Sequence, residues 1–136
     1  MTKLRGAVGS LVGASADEIA LTQNATMGMS VLASGLDLAA GDEVLSTDHE
    51  HVGGICCWRL RAKRHGVVVK ELPLLPACAL GPEAIVKLFS ESITARTRVL
   101  MVSHVTSGFG IKLPVKELCA LARERLGVLR DTNDGF

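Results

Sequence analysis

Leu21-Thr22-Gln23-Asn24-Ala25-Thr26-Met27-Gly28-Met29-Ser30 is a run of small and polar residues between two apolar patterns. Glu18-Ile19-Ala20-Leu21 leads into it and reads as a strand over residues 18–21. A helical pattern leads out, with Met29, Leu32 and Leu36 on one face, and predicts a helix over about 26–36. Such a strand-to-helix turn gathers free backbone N–H groups at the positive end of a helix dipole, where an anion such as phosphate can sit. The same residues also read as a plain helix cap at Asn24 or Thr26. Taken alone, the turn favours the cap, since every helix needs one and few bind phosphate.

On either side the pattern repeats. Apolar spacing of three and four predicts a helix over 3–12, closed by Gly13. Glu43-Val44-Leu45-Ser46-Thr47 is short and apolar, as a buried parallel strand should be. A helix over about 52–65 follows, then a β-branched strand over 67–72. Residues 73–81 contain Pro73, Pro76 and Gly81 and read as a loop. Pro82 opens a helix over 82–92, the run 98–105 is a fourth buried strand, and Pro114 opens a last helix reaching about 126. The alternation implies an α/β fold, a three-layer α/β/α arrangement whose mostly parallel sheet carries helices on both faces. Ligands in such sheets sit beyond the carboxyl ends of the strands. Three polar turns lie there, at 22–26, 48–51 and 103–110.

Composition narrows the function classes. A length of 136 residues allows one domain or part of one, and 48% apolar content supports a packed core. Only 3% of residues are aromatic, which argues against a base-stacking nucleic-acid surface. The net charge of +1 calls for no polyanionic partner. The basic cluster Arg59, Arg61, Lys63, Arg64 and His65 falls at a helix end, where cations suit the dipole. Cys56, Cys57, Cys78 and Cys119 form no C-x-x-C pair, no run is long enough to span a membrane, and no apolar leader is present. These features read as a cytoplasmic protein.

The turns carry further chemistry: His49 and His51 in the second, and Ser103, His104, Thr106 and Ser107 in the third. A ligand with a phosphate and a flat polar ring suits the set. His49, His51, Cys56 and Cys57 are also potential metal ligands, although no second close-spaced pair accompanies them. A Ser103 or Ser107 nucleophile beside His104 lacks a G-x-S-x-G elbow.

Four segments together resemble the class V branch of fold-type I pyridoxal-phosphate enzymes, the cysteine desulfurase and isopenicillin-N-epimerase-like group. They are 24–30, Gly41-Asp42-Glu43-Val44-Leu45-Ser46-Thr47-Asp48-His49-Glu50, residues 97–107, and Pro114-Val115-Lys116-Glu117-Leu118-Cys119-Ala120-Leu121-Ala122-Arg123-Glu124. The resemblance covers about residues 15–125. It implies that Ala25, Thr26 and Met27 hold the cofactor phosphate. His49 would stack on the pyridine ring, and Ser107 would contact the phenolic oxygen, a position that is often Asn in desulfurases. His104 is read as holding its turn. The resemblance further implies an amino acid substrate and a homodimer.

The chain departs from the family after residue 125. Residues 1–125 read as a partial large domain of a PLP-dependent transferase, and 126–136 as a divergent tail. Asp134-Gly135 is similar to the family's motif for the pyridine nitrogen, but Arg130-Asp131-Thr132-Asn133 before it makes a poor buried strand. Lys3, Lys63, Lys70, Lys87, Lys112 and Lys116 match no Schiff-base position. The expectation is therefore an incomplete enzyme, with no catalytic lysine and inactive alone. The alternative is a non-enzymatic module for oligomerisation or for binding a phosphate ligand.

Overall fold

The computed structural model describes residues 2–126. Its centre is β1 (Glu43–Thr47), every residue of which is buried. Strand β2 (Val68–Leu72) pairs with it on one side, Glu43 opposite Val68 through Thr47 opposite Leu72. Strand β3 (Thr97–Leu100) pairs on the other, and both pairings are parallel, giving the order β2-β1-β3. Adjacent residues of a strand point to opposite faces. Val44 therefore enters one core and Leu45 another.

Helices α2 (Ala25–Gly35) and α3 (Val52–His65) cover the Val44 face, closing a core of Ala33, Leu38, Ile55, Trp58, Val67 and Met101. Helices α4 (Leu74–Cys78), α5 (Pro82–Ser92) and α6 (Val115–Leu126) cover the Leu45 face. Leu72, Leu74, Ala77, Ile85, Phe89, Leu113 and Leu118 fill that second core. Helix α1 (Thr2–Val12) lies outside both cores, packed chiefly on the 3-10 turn Ala16–Glu18. The three-layer α/β/α reading is what the structure shows. Among the described residues no helix is long and apolar enough to cross a membrane.

The local signals explain the boundaries. Gly66 closes α3 at φ 71°, a left-handed conformation that an L side chain resists. Pro82 stands at the first position of α5, where its missing N–H costs nothing. In the basic cluster, Arg59 makes a two-pronged contact with Glu71 at 2.6 and 2.8 Å, and Arg61 donates to the carbonyls of Leu36 and Leu38.

Three expectations need correction. Residues 18–21 form no strand: the 3-10 turn ends at Glu18 and Leu21 is 43% exposed. A strand needs a neighbour for its N–H and C=O groups, and no described strand flanks this segment. The 73–81 loop contains α4, in which Pro76 falls within the first turn and needs no N–H partner. The fourth strand is shorter than 98–105. Met101 N–H still donates to Leu45 O, but Ser103 N–H turns to the Glu50 carboxylate and Val105 makes an isolated antiparallel bridge with Lys112.

Candidate functional site

The three polar turns meet at the carboxyl end of the sheet. The first is the start of α2. Asn24 Oδ1 accepts the Met27 N–H at 2.9 Å, and the Thr22 hydroxyl donates to Asn24 O. The plain cap is thus real, and it uses the N–H of Met27. The N–H groups of Ala25 and Thr26 belong to the first turn of an 11-residue helix and have no acceptor within it. Both residues are exposed.

The second turn leaves β1. Asp48 Oδ1 accepts the Leu74 N–H at 3.0 Å and lies 2.5 Å from His49 Nδ1. Burial pushes the Asp48 carboxyl up, but the Leu74 N–H and His49 outweigh it and hold it below the usual carboxylate range. His51 caps α3, its Nδ1 accepting the Gly53 N–H at 3.0 Å. Gly53 stands against the first turn: a methyl group there would strike the Thr26 hydroxyl. The starts of α2 and α3 are therefore in contact.

The third turn leaves β3. Glu50 ties it to the second, accepting from the Thr47 hydroxyl at 2.9 Å, the Ser103 hydroxyl at 2.6 Å and the Ser103 N–H at 3.2 Å. Phe109 brings its ring to that of His49, with centroids 5.0 Å apart and planes at 52°. Buried Thr106 organises the turn, its hydroxyl accepting the Ile111 N–H and its carbonyl the Gly110 N–H. His104 helps only through its carbonyl, which accepts the Leu113 N–H; its side chain is exposed. Ser107 is exposed on the same turn.

This geometry bears on the other readings of these residues. The Ser103 hydroxyl is directed to Glu50, so the pair with His104 is not formed. His51 spends Nδ1 on Gly53, while the Cys56 and Cys57 thiols turn back to the carbonyls of Gly53 and Gly54. Among the described residues no three His, Cys, Asp or Glu side chains are grouped to hold a metal. Lys70 pairs with Glu43 at the amino end of the sheet, away from the turns, and Lys87 pairs with Glu91 on α5. Asp134 lies outside the described residues, as does nearly all of the 126–136 tail.

Sequence reading assigned no role to Asp48, Glu50, Gly53 or Phe109. Two carboxylates flanking His49 were the available signal. The residues present fit a phosphorylated aromatic ring: a helix start with outward N–H groups, a hydroxyl beside it, and an imidazole held in place nearby.

The model of the family "Aminotransferase class-V" matches residues 1–132. Isopenicillin N epimerase of Amycolatopsis lactamdurans is 38% identical over 121 residues, which is 87% of this chain and 30% of that protein. A cysteine desulfurase of Salmonella newport is 30% identical over 113 residues, 81% of this chain and 27% of that protein. A C-DES mutant with glycine covalently linked to its PLP cofactor superposes with a TM-score of 0.81 at 29% identity, over 90% of this chain and 31% of that one. The chain thus spans about a third of the length of the relatives it matches. By the family match over nearly all of its length, and by a fold that superposes on that of a PLP enzyme, the chain belongs to the class V aminotransferase family of PLP-dependent enzymes.

Proposed function

We propose that this chain builds the phosphate-holding and ring-stacking part of a pyridoxal phosphate site that acts on an amino acid, and that it binds the cofactor without a covalent link to any lysine of its own. The convergence of the α2 start with the turns after β1 and β3 carries this reading. The N–H groups of Ala25 and Thr26 and the Thr26 hydroxyl face the phosphate, and Met27 supports them through its bond to Asn24. His49 would pack on the pyridine ring, and Ser107 would serve the phenolic oxygen. When bound, the cofactor supplies an electron sink for bonds at the amino acid's α-carbon. A covalent anchor is a lysine in this chemistry, and none of Lys3, Lys63, Lys70, Lys87, Lys112 and Lys116 lies in the three turns, so the expectation is that these 136 residues alone are inactive. None of the four cysteines forms a disulfide, which suits a reducing, cytoplasmic setting.

Equilibrium dialysis against pyridoxal phosphate, followed by borohydride treatment and mass spectrometry, tests both halves. Reversible binding that weakens in Thr26→Val and in His49→Ala, with no stoichiometric label on a single lysine, is the expected result. No binding by the wild-type chain would end the proposal, and one fully labelled lysine would overturn its second half.

A second reading, an oligomerisation module, draws on exposed apolar side chains: Leu11 is 84% exposed and Val31 58%. Sedimentation velocity decides it, since this reading expects a dimer that Leu11→Lys or Val31→Lys disperses.

A further inference from the structure

The His49 imidazole has two ring nitrogens, and one is committed. Nδ1 faces Asp48 Oδ1 at 2.5 Å. The same oxygen accepts the Leu74 N–H, so Asp48 is itself tied to the start of α4. Phe109 meets the ring from the facing turn. The His49 side chain is 17% exposed, which leaves little room for it to turn. An ionised carboxylate only accepts hydrogen bonds. In the neutral form of the imidazole, the proton therefore sits on Nδ1 and the lone pair on Nε2.

We propose that Asp48 is a positioning residue, fixing both the tautomer and the plane of the His49 ring before a flat cofactor ring packs against it. The proposal rests on the reading of the site as a pyridoxal phosphate site. A ring already held in one plane loses little freedom when a ligand stacks on it, so affinity rises without a new contact to the ligand. Asp48 touches no part of the ligand, and its effect passes entirely through His49. It is specific to the ring end of the site, because the phosphate end is built by α2.

The test uses the full 136-residue chain and its Asp48→Ala and Asp48→Asn variants, with His49→Gln to assign the signals. Asparagine keeps an oxygen for Leu74 and for Nδ1, whereas alanine removes both acceptors. Long-range 15N–1H spectra of the imidazole give the tautomer with no ligand present. Dialysis gives the affinities for pyridoxal phosphate and for inorganic phosphate. The expected result is a single Nδ1–H tautomer in wild type and Asp48→Asn, and a mixture in Asp48→Ala. Asp48→Ala should also lose about tenfold in affinity for pyridoxal phosphate, the scale of one charged hydrogen bond, with inorganic phosphate binding unchanged. An unchanged tautomer in Asp48→Ala overturns the proposal. So does an equal loss for both ligands, which would mark Asp48 as a general support of the fold. If wild type takes up no pyridoxal phosphate, the reading of the site fails separately, and the tautomer spectra still decide what Asp48 does to His49.

Discussion

The Ser103 hydroxyl donates to Glu50 Oε2 at 2.6 Å while the Ser103 N–H donates to Oε1 at 3.2 Å, so one carboxylate bridges the exits of β1 and β3. Oε1 also takes the Thr47 hydroxyl. Alanine at Glu50 strands three donors, one of them a backbone N–H that no β-ladder serves. Glu50→Ala is expected to cost about 2 kcal/mol. Glu50→Gln keeps one oxygen for Ser103 N–H and Thr47 and should cost less than half of that. Urea midpoints followed by Trp58 emission check the ordering; the chain has one Trp and no Tyr, so the signal has a single source.

Glu43 is fully buried at the start of β1, with Lys70 at 2.8 Å, the Thr94 hydroxyl at 2.7 Å, the Thr97 hydroxyl at 3.2 Å and Arg96 at 3.4 Å. Burial pushes its carboxyl up, but the bonds from Lys70, Thr94 and Thr97 outweigh it and bring it from the ordinary 4.5 down to about 2. A depressed folded-state pKa stabilises the fold above the unfolded value and loses that contribution as pH falls through the folded one. The contribution is thus whole above pH 4.5 and disappears toward pH 2. Its size is about 3 kcal/mol. Comparing wild type with Glu43→Gln at pH 7, 4 and 3 should show the gap in stability closing on acidification.

Glycine near a helix start is usually improved by alanine, by about 1 kcal/mol. Gly53 is expected to behave in the opposite way. An added methyl meets the Thr26 hydroxyl and lies 3.1 Å from His51 Nδ1, so Gly53→Ala should destabilise by about 1–2 kcal/mol. Thr26→Ala removes the obstruction, and the double variant should recover at least about 0.5 kcal/mol relative to additivity. Additive effects would show that the two helix starts are not in contact.

Trp58 is 2% exposed, and among the described residues its Nε1 has no hydrogen-bond partner. Trp58→Phe loses contact area but removes the stranded N–H, and the two terms oppose each other. The expected net cost is below about 1.5 kcal/mol, against about 3–5 kcal/mol for Trp58→Ala. Far-ultraviolet circular dichroism in urea measures both, since the fluorescent group is gone.

Much of this architecture was legible because several elements announce their own limits. Residues 43–47 and 82–92 were read to the residue as β1 and α5, and about 52–65 as α3. Each is bounded by local chemistry, such as the left-handed Gly66 or the leading Pro82. The segments 18–21 and 101–105 failed because a strand is defined by what lies beside it, and periodicity carries no record of a neighbour. The site divides the same way. Thr26 lies in the polar turn that opens α2 and His49 in the one that leaves β1, and such turns are marked by a break in the apolar pattern. Glu50 does not, because its partner Ser103 is 53 positions away and the bond exists only once β1 and β3 are paired. Phe109 is 61% exposed on its loop, and its contact with His49 exists only once the two turns are brought together.

Strand β1 is one wall shared by two cores, with Val44 in one and Leu45 in the other. Neither core can melt while the other keeps that strand in place, so the two should disappear in a single cooperative transition. Trp58 reports one core, and Cys78, packed at the edge of the other, reports the second through its reactivity toward thiol reagents. The loss of buried emission and the gain of labelling should follow the same urea curve. Helix α1 stands apart from that wall, tied to the turn beside it by Arg5 and Asp17 and by the Ala14 N–H on Gly9 O. Its amides should exchange with solvent through local opening, well before the sheet gives way.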